Sequence, residues 1–237
     1  MLKSPLLSRV RKDALPAIRR RLRAEESGGV GPEPEVERYA HEVLDWAMRL
    51  WRVPNLLATT ATLIHDLEVP ESDESFGMYT VQSHHLVVHR ALMPTARDTA
   101  LRLVAAVWDL RVPEAALIND RIIYKNGRMT EPVKASLKRF DDLARPHLAE
   151  RNDILHAGGV PALVDYDWEE HWAKAEAEGK TDEEFFQALA EGAASDRVKI
   201  AGSIREDIRL LIAATEQLFA ALEPGYVRQR TMLAAAE

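Results

Sequence analysis

Apolar positions recur with the α-helical period along almost the whole chain. Val36, Tyr39, Ala40, Val43, Leu44, Ala47, Met48 and Trp51 follow i, i+3, i+4, i+7 spacing, so 35–52 predicts a helix with one face in a core. Pro54 punctuates that pattern. It resumes over 55–68 with Leu56, Leu57, Ala61, Leu63 and Ile64. The polar stretch VPESDESFG at 69–77 predicts a loop. Further helices are predicted over about 78–92 and about 95–124, the second carrying Leu101, Val104, Ala105, Trp108, Val112, Ala116 and Ile123. Asn126-Gly127 then supplies two residues that tolerate the left-handed backbone on which helices end.

Thr130 has the chemistry of an N-cap, and Val133, Leu137, Phe140 and Ala144 form the stripe that follows it. Pro146 removes a backbone donor, which predicts a kink or restart, and Gly158-Gly159 predicts the end of that segment. Residues 160–180 show no clear period. Thr181 followed by Glu184 is a capping box opening a short helix with Phe185, Phe186 and Leu189. A last helix is predicted over about 195–222, with Val198, Ala201, Ile204, Ile208, Leu211, Thr215, Leu218 and Leu222 facing inward and Pro224-Gly225 as its stop. No strand pattern of any length survives. The chain reads as all-α, in three parts: a basic N-terminal arm (1–34), a helical bundle (35–159) and a C-terminal helical extension (160–237).

Composition narrows the function classes. With 237 residues, 46% hydrophobic and 29% charged, the chain can bury a sizeable core without covalent staples. No run of eighteen apolar residues occurs, so no membrane partner is expected. There are no cysteines, which excludes disulfides, zinc–thiolate sites and cysteine nucleophiles. No secretory signal pattern opens the chain, and the expected location is cytoplasmic. The net charge of −7 is uneven: residues 1–23 hold eight cations against one acid, which leaves −14 for the remainder. Arg19, Arg20, Arg21 and Arg23 in this arm are candidates for phosphate contact, since phosphate binding is driven mainly by counterion release. A solvated face of a first helix would show the same charges.

The segment with the most distinctive chemistry is Glu150-Arg151-Asn152-Asp153-Ile154-Leu155-His156-Ala157-Gly158-Gly159. Metal-free cleavage of RNA needs a proton acceptor for the 2′-hydroxyl and a cation for charge developing on the phosphorane. Histidine suits the first task near neutral pH, and arginine, always charged and forked, suits the second. Asn152 lies four positions before His156, so the two share a helix face and the amide can orient ring or substrate. Arg151 and His156 are five apart, about 140° of rotation and about 7.5 Å of rise on an ideal helix, so a cleft between two copies of the helix gathers them better than one copy does. Arg151 also falls on the face of Leu148 and Leu155, a position equally compatible with a bundle arginine paired to a carboxylate.

An arginine, a neighbouring asparagine and a histidine after four intervening residues, late in a helical bundle, resemble the R-x4–6-H signature of the HEPN superfamily. The resemblance covers about 35–158 and rests on this one motif in its helical context. It implies a HEPN-like helical bundle and a metal-independent endoribonuclease acting as a homodimer on RNA, with both motifs at the dimer seam and no cofactor. Arg151, His156 and Asn152 would be its catalytic residues. It also implies a toxin or defence setting with a neutralising, antitoxin-like protein partner. Non-catalytic members of such a family would be binding or scaffold proteins.

A rival constellation is His41 with the adjacent His65-Asp66, which looks like the start of the H…HD…D metal-ligand pattern of HD-type phosphohydrolases. Adjacent imidazole and carboxylate groups would hold a divalent ion that activates water, with Asp109 or Asp120 as a distant ligand. Leu67 stands where that family normally places a glycine. His85 and His89, at i, i+4 spacing, could extend such a site, although half-buried histidines on an apolar helix are its plainer description. Trp168 and Trp172 among acidic residues form either a partner-docking face or a packed lid.

Overall fold

A computed structural model of the chain describes residues 4–27, 33–66, 75–110, 123–125, 127–156 and 168–237. Among them are six helices and no strand: α1 (Pro5–Ser27), α2 (Glu35–His65), α3 (Ser75–Val107), α4 (Glu131–His156), α5 (Trp168–Ala177) and α6 (Asp182–Ala234). The chain is all-α. No helix among the described residues is long and apolar enough to cross a membrane.

The basic N-terminal segment is a helix from its first turn. Ser4 Oγ accepts from the Leu7 amide at 3.4 Å, and Pro5 occupies the first helical position, where its missing donor costs nothing. Leu6, Val10, Ala14, Ala17 and Ala24 make a buried stripe, so α1 packs one face into a core and turns its cations outward.

Two compact units divide the chain, each drawn from separated stretches: residues 1–53, 95–144 and 211–237 in the first, and 54–94 and 145–210 in the second. These differ from the consecutive arm, bundle and extension that the sequence suggests. Helices α2, α3 and α4 pass from one unit to the other within two residues of an internal proline, at Pro54, Pro94 and Pro146. Each proline removes one intrahelical hydrogen bond. The prolines lead the sequence reading to expect a break, kink or restart there, whereas α2, α3 and α4 continue through.

In the first unit, Tyr39 and Tyr226 stack with ring centroids 5.5 Å apart. The Tyr39 hydroxyl donates to the Val107 carbonyl at 2.8 Å, and that of Tyr226 donates to Asp13 Oδ2 at 3.0 Å. Arg230 Nε lies 2.8 Å from the same Asp13 oxygen. Burial pushes both phenols far above the ordinary tyrosine range, so they stay protonated and serve as donors.

Several boundaries differ from expectation. The helix expected over 95–124 ends at Val107, and Asp109 follows with φ 49°. Residues 111–122 lie outside the described set. The aperiodic stretch 160–180 contains α5. The capping box is made reciprocally: the Thr181 amide donates to Glu184 Oε2 at 2.9 Å and the Glu184 amide to Thr181 Oγ1 at 3.3 Å. The helix it opens, however, is not short. It runs unbroken to Ala234, through Pro224-Gly225. Gly225 is a packing position: a Cβ there would sit 3.2 Å from Trp108 Nε1, and the missing side chain leaves room for the indole.

Candidate functional site

Helix α4 begins directly after Thr130 and continues through Pro146 to end on His156. Arg151 and His156 therefore occupy one helix, with the histidine in its last turn. Arg151 is half-buried. The side chains of Asn152 and His156 lie outside the described residues.

One turn before Arg151 on α4 stands His147. In the second unit it meets His89 of α3 and Asp207 of α6. The Nε2–H group of His89 donates to Asp207 Oδ2 at 2.8 Å, and the side chain is 6% exposed. His147 Nε2 is 4.0 Å from the same oxygen, and its ring meets that of His89 edge-on at a centroid distance of 4.9 Å. The three ligand atoms all lie within 4.8 Å of one another. Two imidazoles and a carboxylate gathered this closely can relay a proton or hold a divalent ion.

The sequence named His89 together with His85; in the structure its neighbours are His147 and Asp207. His85 points its ring edge-on at His84 with centroids 5.6 Å apart, and burial followed by the His84 ring lowers its pKa below the ordinary histidine value. His147 and Asp207 carry no local signal, because nothing in their flanking residues distinguishes them from other helix positions.

The His41, His65, Asp66 constellation is spread over both units, with His41 in the first and the other two in the second. His65 Nδ1 and Asp66 Oδ1 are 2.9 Å apart in an exposed local pair. His41 is half-buried, and its pKa is lowered by burial and then by the Arg21 guanidinium, against opposing contributions from Glu33 and Asp45. The described residues that could hold an ion together include none of these three.

The basic arm is partly neutralised within the first unit. Arg20 pairs with Glu37 at 3.2 Å and Arg21 with Glu33 at 3.3 Å. Arg19, Arg20 and Arg23, with Pro16, border an open depression of about 350 Å³. A larger cavity of about 730 Å³ in the same unit is lined by Trp108, Arg128, Ser136, Arg139, Arg228 and Gln229 among others. In the second unit Trp172 packs edge-on against Phe185 at 4.8 Å while remaining 43% exposed. The side chain of Trp168 lies outside the described residues.

No family model, curated protein or solved structure matches the chain.

Proposed function

We propose that the chain is a HEPN-like, metal-independent endoribonuclease that acts as a homodimer. The observation that supports this most is the unbroken course of α4 to His156, which puts the arginine–asparagine–histidine motif in the final turns of one helix of an all-α protein. In this reading the RNA 2′-hydroxyl attacks the adjacent phosphorus and the 5′-oxygen leaves, giving a 2′,3′-cyclic phosphate and a 5′-hydroxyl. His156 takes or returns the proton, Arg151 neutralises charge on the non-bridging oxygens, and Asn152 orients ring or substrate. A second copy of the helix completes the site, since a spacing of five residues amounts to about 140° of rotation on an ideal helix.

Arg19, Arg20, Arg21 and Arg23 of the arm are the residues proposed to draw RNA inward, three of them bordering its depression. A toxin or defence role with a neutralising, antitoxin-like protein in the cytoplasm belongs to the same proposal.

Incubation with mixed RNA in excess EDTA tests it by the chemistry of the ends. Fragments ending in 2′,3′-cyclic phosphate, produced by the unmodified protein and by Asp66→Ala but not by His156→Ala, support the reading. Nucleotide hydrolysis that requires a metal and Asp66 overturns it in favour of the HD-type site. Capture of RNA or protein without turnover overturns it in favour of a scaffold.

A further inference from the structure

We infer that His89, His147 and Asp207 form a binding site for one divalent transition-metal ion, with zinc as the best-matched occupant. The site goes beyond the RNA reading and does not depend on it, since the proposed cleavage uses no metal.

The three groups come from three helices, α3, α4 and α6, within a single compact unit. His89 and Asp207 already lie 2.8 Å apart. His147 Nε2 comes to 4.0 Å from the same carboxylate oxygen, beyond hydrogen-bond length. In a tetrahedral site with metal–ligand bonds of about 2.0–2.2 Å, ligand atoms stand about 3.3 Å apart. The separations here therefore need adjustments of roughly 0.5–1.5 Å, within reach of side-chain rotation. Two neutral nitrogens and one carboxylate oxygen are a borderline-hard donor set, suited to zinc, cobalt(II) or nickel(II) and not to magnesium or calcium. Three protein ligands leave a fourth position for solvent.

Access and rigidity agree with this role. His89 is almost wholly buried, while the side chains of His147 and Asp207 are 16% and 21% exposed, so an ion can enter from one side and be held against a closed wall. Bound there, it would fasten α4 one turn before Arg151 and tie that helix to α3 and α6. The Asp207 carboxylate would offset one of the ion's two positive charges.

Cobalt(II) titration of the chelator-stripped full chain tests the site. We expect one ion per chain, visible d–d bands of low-coordinate cobalt, and their displacement by zinc. His147→Gln and Asp207→Asn should each weaken binding by more than about tenfold, while His84→Gln leaves it unchanged. Far-UV circular dichroism checks that the variants remain folded. Should either variant unfold, the wild type alone still decides the matter: long-range ¹H–¹⁵N spectra must show zinc moving the ring signals of two of the eight histidines. Absence of stoichiometric binding, binding that survives both substitutions in folded protein, or zinc shifts at imidazoles other than His89 and His147 would overturn the inference.

Discussion

The Nε2 atom of His89 lies 2.8 Å from Oδ2 of Asp207, although 118 positions of chain separate them. Almost none of the His89 side chain is open to water, so the bond operates where competition from solvent is weak. His65 and Asp66 make a contact of nearly the same length, 2.9 Å, on the exposed end of α2. The two pairs share chemistry and differ in burial.

That difference predicts unequal effects on stability. His89→Ala removes a charge-assisted bond and leaves the carboxylate without it, and should cost about 1.5–3 kcal/mol. His65→Ala, at an exposed ion pair, should cost about 0–1 kcal/mol. Urea unfolding of both variants beside the wild type checks the contrast. Equal midpoints would show that the buried pair adds nothing.

Tyr39→Phe tests the anchor in the first unit. It keeps the ring stacked on Tyr226 but deprives the buried Val107 carbonyl of its donor at 2.8 Å. A loss of about 1–3 kcal/mol in chemical denaturation is expected, the usual cost of one unsatisfied buried acceptor. A neutral result would mean that water replaces the hydroxyl.

The capping box offers a local test. Thr181→Ala deletes the acceptor for the Glu184 amide, a loss of about 1 kcal/mol at the start of α6. Amide exchange should quicken over 182–185 while amides near Leu211 and Leu218 keep their protection. Uniform quickening along α6 would contradict a cap that acts locally.

His41 predicts a pH dependence. Burial and Arg21 lower its pKa, so between the ordinary value of 6.5 and the lower folded value the unfolded chain binds more protons than the folded one. Its contribution to stability is intact above pH 6.5, declines as pH falls through that window and levels off below the folded pKa. The melting temperature of the wild type should therefore drop more between pH 7.5 and pH 5.5 than that of His41→Gln. Parallel profiles would remove His41 from the cause.

These residues also show what the amino-acid pattern conveys. Helical class and the inward stripes of α2 and α4 follow from apolar spacing, because one face of a helix must leave water, whereas the buried stripe of α1 lay unread beneath its cations. Helix ends are less legible. Pro54, Pro94 and Pro146 carry the usual breaking signal, yet α2, α3 and α4 run through them, and Gly225 makes room for Trp108 instead of ending α6. Val198 keeps the inward period but is 57% exposed, since period alone does not say how far a core extends. His147 and Asp207 join His89 only through tertiary packing, which no short motif encodes. The Arg151–His156 motif, by contrast, is visible because its chemistry is packed into one short helical segment.

Single-turnover cleavage of a labelled RNA in EDTA tests the proposed role of that motif. Arg151→Ala and His156→Ala should each slow cleavage by about 100-fold or more, and a single 2′-deoxy substitution at the cut site should block it. Cleavage that persists at the wild-type rate in either folded variant, cleavage of the deoxy-substituted bond, or no cleavage of any RNA by the wild type would contradict it.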